Sequence, residues 1–311
     1  MKVVVSIGGN ALGETPQEQM DALYGAVRPI ADLIAAGHTV ALVHGNGPQV
    51  GAIHLAMEHA HNQGQPVPAM PLPECVAMTQ GYIGYHVQNI LGEELRRRGM
   101  ERMPVTVVTH VEVDPADPAF DDPAKPVGSF YSLREKEQLE REKGYVLKED
   151  AGRGYRRMVP SPHPHNIVEK DIILRLIEEG YPVIACGGGG IPVVRKENRL
   201  EGTAAVVDKD YASAVLAKEL DADAMFLLTG VDQVAINWGR PDQKWLARAD
   251  VPQMETYIAQ KQFAPGSMLP KVEASLEFVR GRPGKRAFIT SLPNLSVALR
   301  GEGGTEIVCP A

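Results

Sequence analysis

Short, nearly continuous apolar runs alternate along the chain with longer amphipathic stretches. The runs fall at residues 3–7, 39–43, 105–109, 183–186, 225–229 and 286–290 and are rich in β-branched residues. Strands of this kind are apolar on both faces, as in a mainly parallel sheet covered by helices. The intervening stretches carry helix punctuation. Thr15-Pro16-Gln17-Glu18 supplies an N-cap, a proline at the first helical position and a capping-box Glu. Gly37 is the stop after Ala35-Ala36. Asn166-Ile167-Val168-Glu169 has the same capping-box spacing and predicts a helix ending at Gly180. Pro29 lies inside the first helical pattern and predicts a kink or break. The fold class expected is α/β, with an open, mostly parallel central sheet sandwiched by helices.

Residues 115 to 160 leave this rhythm. Asp114-Pro115, Asp117-Pro118, Asp122-Pro123 and Lys125-Pro126 are followed by a charged helical pattern over 133–143. A hairpin then pairs 145–148 with 155–159 around Asp150-Ala151-Gly152-Arg153-Gly154. The segment is too polar for core and too long for a simple loop, so it reads as an inserted, protruding subdomain or lid.

Composition narrows the classes. At roughly 100–200 residues per domain, 311 residues make one large domain or two small ones. Lys and Arg number 32 against 39 Asp and Glu, a net charge of −7, which argues against a general nucleic-acid binder. Cys75, Cys186 and Cys309 are far apart and form no zinc or disulfide pattern, which suits a reducing compartment. No run approaches the roughly 18 apolar residues of a membrane span, and Gly8-Gly9-Asn10 interrupts any signal-like start. A cytoplasmic protein with no membrane partner is expected.

Glycine (31) and proline (24) exceed the roughly 22 and 16 that average usage would place in such a chain. Four strands run directly into glycine turns: Ile7-Gly8-Gly9-Asn10, His44-Gly45-Asn46-Gly47-Pro48, Cys186-Gly187-Gly188-Gly189-Gly190 and Thr229-Gly230-Val231-Asp232. In an open parallel sheet such turns share the carboxyl edge, where ligands bind. Their N–H groups and the helix starts that follow suit oxyanions. The chain has no P-loop, no G-x-G-x-x-G, no G-x-S-x-G and no H-E-x-x-H. Phosphoryl transfer without a protein nucleophile remains, and it asks for positive charge around the moving group. Three lysines suit: Lys209, flanked by Asp208 and Asp210; Lys271, after the turn ending Ser267-Met268-Leu269-Pro270; and Lys125 in the insertion. Spacing alone stops at a phosphate-handling α/β enzyme.

Eight motifs, in order, go further. They are Ser6-Ile7-Gly8-Gly9-Asn10-Ala11-Leu12, the stretch from His44 to Gly51, Cys75-Val76-Ala77-Met78-Thr79-Gln80-Gly81 and Lys148-Glu149-Asp150-Ala151-Gly152-Arg153-Gly154. The C-terminal half adds the stretch from Cys186 to Val193, Asp208-Lys209-Asp210, Leu228-Thr229-Gly230-Val231-Asp232 and the stretch from Phe263 to Lys271. With these the chain resembles the carbamate kinase branch of the amino-acid kinase family over essentially its whole length. The resemblance implies a single amino-acid kinase domain over 1–311, with 115–160 as the family's protruding subdomain. It implies reversible transfer between ATP and carbamate, giving ADP and carbamoyl phosphate, with Mg²⁺ on the nucleotide. A homodimer, and a flux toward ATP in the breakdown of arginine, agmatine or allantoin, are the family's habit.

By the same resemblance, Gly8, Gly9, Asn10, Gly45, Asn46 and Gly47 hold carbamate and the phosphoryl group. Lys209 and Lys271 neutralise phosphate charge, Asp210 orients them, and Lys125 reaches in from the insertion. Thr229, Gly230, Val231, Pro265, Gly266, Ser267 and Met268 line the nucleotide pocket. No residue is expected to hold a metal by itself. Many relatives carry Lys where Ser6 stands here, so Lys125 is expected to replace that charge. His44 is expected to pack rather than catalyse, because carbamate is already an anionic nucleophile.

Overall fold

The computed structural model describes residues 1–8, 13, 15–149 and 152–310. The chain begins β1 (Lys2–Ile7), α1 (Pro16–Ala35), β2 (Thr39–His44), α2 (Gly47–Asn62) and α3 (Leu72–Arg97). There follow β3 (Val105–Thr106), β4 (His110–Val113), β5 (Lys125–Tyr131), α4 (Leu133–Lys143), β6 (Val146–Glu149), β7 (Tyr155–Val159) and β8 (Pro164–Ile167). The middle holds α5 (Lys170–Glu178), β9 (Val183–Ile184), β10 (Ile191–Lys196), β11 (Arg199–Gly202), α6 (Lys209–Glu219) and β12 (Ala224–Thr229). The last part holds β13 (Val234–Ile236), β14 (Lys244–Leu246), β15 (Arg248–Asp250), α7 (Val251–Ala259), α8 (Met268–Val279), β16 (Arg286–Ser291), α9 (Leu295–Ala298) and β17 (Thr305–Val308).

The central sheet has the order β15-β17-β16-β12-β1-β2-β9-β3, and its pairings are parallel except β16 with β17. Alternate side chains of each strand enter opposite layers, as the period-2 geometry of a strand requires. Val3, Val5, Val40, Leu42 and Phe226 pack with α1 and α3 on one face. Val4, Ala41, Val43, Met225 and Leu227 pack with α5, α6 and α8 on the other. The fold is therefore the mixed α/β sandwich expected of the sequence. A second sheet, β11-β10-β4-β8, flanks it. Between β4 and β8 the chain builds a separate antiparallel sheet, β5-β7-β6, against which α4 packs. Asp150 and Ala151 of its hairpin turn lie outside the described residues. Among the described residues no helix is long and apolar enough to cross a membrane.

Three local expectations need correcting. Helix α1 runs through Pro29 without a break. An interior proline costs about 3 kcal/mol, whereas burying Val27 and Ile30 beside it is worth about 1.5–3 kcal/mol each. Asn166 does not cap α5; it lies in β8, and Glu169 at the helix start makes no cap bond. The Glu169 carboxylate instead takes the backbone N–H of His110 at 2.8 Å and its Nδ1 at 2.6 Å, joining α5 to β4. Strands β3 and β9 are also shorter than their apolar runs. Beyond them the ladder passes to side chains: Gln80 bonds both the N–H and the carbonyl of Thr109, and Thr109 Oγ1 accepts from Cys186 N. That exchange releases the backbone for the tetraglycine turn.

Candidate active site

Strands β12, β1, β2 and β9 are consecutive neighbours; β12, β1 and β2 run to Gly230, Gly8 and Gly45, and Gly187 follows β9 after Ala185 and Cys186. Gly8, Gly45, Gly47, Gly187 and Gly230 therefore lie along one carboxyl edge. Gly9 and Asn10 lie outside the described residues. Glycine is required in the tetraglycine turn for two reasons. Gly188, Gly189 and Gly190 take φ of 69°, 96° and 88°, and the turn presses onto the end of β2. A Cβ on Gly187 would stand 2.3 Å from His44 Nε2, and one on Gly188 would stand 2.1 Å from Asn46 Nδ2.

The two side chains beneath that turn are fixed. The Thr79 hydroxyl donates to Val76 O at 2.7 Å, so it can only accept from Asn46 Nδ2 at 2.8 Å. This settles which way the Asn46 amide faces. His44 is buried, with Nδ1 3.0 Å from Gly45 O, and burial lowers its pKa to about 4. It is neutral and donates from Nδ1, and its buried Nε2 has no hydrogen-bond partner among the described residues.

Opposite these turns lies the charged cluster. Asp208 caps α6 by accepting from Asp210 N at 2.9 Å. The first residue of that helix, Lys209, reaches Asp210 Oδ1 at 2.5 Å and Ser6 Oγ at 3.3 Å. Lys271, one turn into α8, reaches Asp210 Oδ2 at 2.7 Å. Lys125, the first residue of β5, reaches Asp208 Oδ2 at 2.5 Å. All four charged residues predicted as catalytic are thus brought together, although their sequence positions span nearly half the chain. Asp210 bridges Lys209 and Lys271, while Asp208 caps α6 and holds Lys125.

Asp210 is 4 % exposed and the two lysines on it 12 % and 13 %. Burial alone would raise the Asp210 carboxyl, but Lys209 and Lys271 outweigh it and hold it below the usual carboxylate range. Burial pushes the Lys209 ammonium down, Asp210 opposes that, and the charge of Lys271 adds to it. Three ammonium groups face two carboxylates, so the cluster keeps one net positive charge for an anion. Sequence reasoning missed Asp208 as the partner of Lys125 and Thr79 as the clamp on Asn46. It also missed Tyr211, whose hydroxyl donates to Glu273 and ties α6 to α8. The first two lay within motifs already picked out, but pairing them needs the third dimension.

Thr229 ends β12, Gly230 and Val231 follow it, and Pro265, Gly266 and Ser267 form an exposed turn into α8, which begins at Met268. Because α8 leads into β16, parallel to β12, its N-terminus points to the same carboxyl edge. Ser267 makes no side-chain cap; in the first turn of α8 Leu269 N–H bonds Ala264 O at 3.0 Å and Pro270 has no N–H. Among the described residues no group of three or more His, Cys, Asp or Glu could hold a metal ion.

The chain matches the model of the amino acid kinase family over residues 1–291. It is 51 % identical to "Carbamate kinase" of Clostridium perfringens over 99 % of this chain and 100 % of that one. It is also 51 % identical to "Carbamate kinase-like protein YqeA" of Escherichia coli over 98 % of each chain. A solved structure of carbamate kinase from Giardia lamblia bound to AMP-PNP superposes with a TM-score of 0.91 at 40 % identity, covering 99 % of this chain and 98 % of that one.

Proposed function

The chain belongs to the amino acid kinase family, and on that premise we propose that it transfers a phosphoryl group reversibly between ATP and carbamate, yielding ADP and carbamoyl phosphate. The observation that carries this reading is Asp210 bridging Lys209 and Lys271 at a sheet edge where glycine turns follow β2, β9 and β12. The arrangement suits a reaction in which there is no covalent enzyme step and charge must be met on several oxygens.

A carbamate oxygen attacks the γ-phosphorus in line, the bond to the bridging oxygen breaks, and its electron pair stays on ADP. Lys271 and Lys209 offset the charge gathering on the transferred group and the departing phosphate. Asp210 keeps the two ammonium groups from repelling each other out of place before substrate arrives. Lys125 faces the carbamate side. Gly8, Gly9, Asn10, Gly45, Asn46 and Gly47 hold carbamate and the phosphoryl group through amide donors. Thr229, Gly230, Val231, Pro265, Gly266, Ser267 and Met268 surround the nucleotide. A divalent metal accompanies the nucleotide in such a kinase, and Mg²⁺ fits here as part of the substrate, held mainly by phosphate oxygens.

Residues 115–160 act as a protruding subdomain inserted in a single kinase domain, and β5 carries Lys125 from it. A homodimer is supported by Met78, Gly81 and Tyr85, which form an exposed stripe on α3 at helical spacing. Three unpaired cysteines favour a reducing, cytoplasmic setting. The working direction is ATP formation, because carbamoyl phosphate is a mixed anhydride that transfers its phosphoryl group downhill. With ADP and carbamoyl phosphate, the ³¹P resonances of ATP should grow as that of carbamoyl phosphate falls. Loss of carbamoyl phosphate to inorganic phosphate with no ATP formed would count against the reading.

A further inference from the structure

Lys125 reaches Asp208 from a small sheet that is separate from the body, so something must fix the strand that carries it. Three residues along β5, Gly128 sits where the register with β7 shifts, with φ of 75°. Its backbone lies directly on Gly51 of α2. A Cβ on Gly51 would stand 2.0 Å from both Cα and N of Gly128 and 3.1 Å from the Val127 carbonyl carbon. The reverse substitution is less crowded, since a Cβ on Gly128 would meet Gly51 Cα at 3.6 Å. Two main chains therefore touch with no side chain between them.

The strand has no room to retreat. Val127 is buried with Leu72, Val159 and Val206. From β7, Arg156 donates to the carbonyls of Gly128 at 3.1 Å and Pro126 at 3.4 Å. The same face of α2 takes the rest of the small sheet one and two turns on. His54 Nδ1 meets Arg157 Nη1 at 3.2 Å, and Glu58 takes Lys143 Nζ at 3.0 Å and the Tyr145 hydroxyl. At its other end α2 begins at Asn46 and Gly47, the carbamate side of the site.

We propose that the Gly51–Gly128 backbone contact positions Lys125 against Asp208, so that both glycines are positioning residues for phosphoryl transfer. The proposal rests on the reading that Lys125 acts in the reaction. Opening a 2.0 Å approach to an ordinary contact moves β5 by about 1 Å or more, and misplacement on that scale can cost about 10²-fold in rate.

A double-mutant cycle tests it on the whole enzyme, measuring kcat and KM for ADP plus carbamoyl phosphate. Gly51→Ala should lower kcat at least about tenfold while circular dichroism stays that of the folded protein. Lys125→Ala should lower it at least as much. The double variant should be within about threefold of Lys125→Ala alone, because a misplaced lysine and a missing one are the same loss. If the two losses multiply, or Gly51→Ala keeps full kcat while Lys125→Ala does not, the positioning inference is wrong and the role of Lys125 stands. If Lys125→Ala itself keeps its rate within a few-fold, the role of Lys125 fails and the inference with it. Should Gly51→Ala not fold, Arg156→Met, which frees the same stretch of β5 without a clash, takes its place in the cycle with the same expected outcomes.

Discussion

Asp210 allows two lysines to share one nearly closed cleft. At about 4 Å, two like charges in an effective dielectric of 20 repel by about 4 kcal/mol, and each ammonium also loses hydration. A carboxylate with one oxygen on each lysine offsets both costs. Asp210→Asn should therefore destabilise the ligand-free enzyme by roughly 1–3 kcal/mol, less than the roughly 3–5 kcal/mol of a fully enclosed pair. A lowered urea midpoint would read this out. The folded carboxyl lies below its unfolded value, so the contribution is complete above the ordinary Asp range and disappears as pH falls through the folded value. The wild-type advantage over Asp210→Asn should accordingly hold from pH 6 to 8 and shrink only in acid. Lys271→Ala should lower kcat by about 10²-fold or more, the scale of losing one transition-state donor. An unchanged rate would remove Lys271 from the mechanism. Lys209, pushed below the ordinary 10.5 mainly by burial, should give the free enzyme an alkaline limb in kcat/KM that Lys209→Arg shifts upward.

At the scale of elements, the glycine turns convert strand ends into a phosphate edge. Gly188→Ala places a Cβ on the Asn46 amide and forces a side chain into φ of 69°. It should raise KM for carbamoyl phosphate or lower its kcat/KM at least about tenfold while leaving KM for ADP near wild type. Steady-state kinetics with each substrate varied in turn will show whether the loss is confined in this way. The strand ends and their turns were legible in the sequence, because β-branched runs stop at glycine for steric reasons that act locally. The adjacency of β12, β1, β2 and β9 was not, since strand order is set by long-range packing. Local signals also misled where a tertiary partner competed. Glu169 at capping-box spacing bonds His110 instead, and Pro29 is overridden by the buried residues beside it. Lys209, Lys271 and Asp210 were legible through the motifs and Lys125 through the insertion, but the Lys125–Asp208 bond joins positions 83 apart and left no trace in spacing.

For the whole molecule, a net charge of −7 coexists with a site that gathers positive charge locally. Two apolar layers on the central sheet hold its carboxyl edge rigid, and the small sheet on α2 brings the third lysine to that edge. The exposed stripe of α3 belongs to this scale too. Tyr85 is 62 % exposed, and if it lies between subunits, Tyr85→Glu should convert dimer to monomer by light scattering. A wild-type mass equal to one chain would show a monomer instead. The reaction itself is read most directly as ATP formation by the purified protein from ADP and carbamoyl phosphate, run beside acetylglutamate and UMP as phosphoryl acceptors from ATP. A carbamate kinase forms ATP rapidly from carbamoyl phosphate and makes neither of the other transfers; phosphorylation of acetylglutamate or UMP, with carbamoyl phosphate inert, would assign the protein a different acceptor.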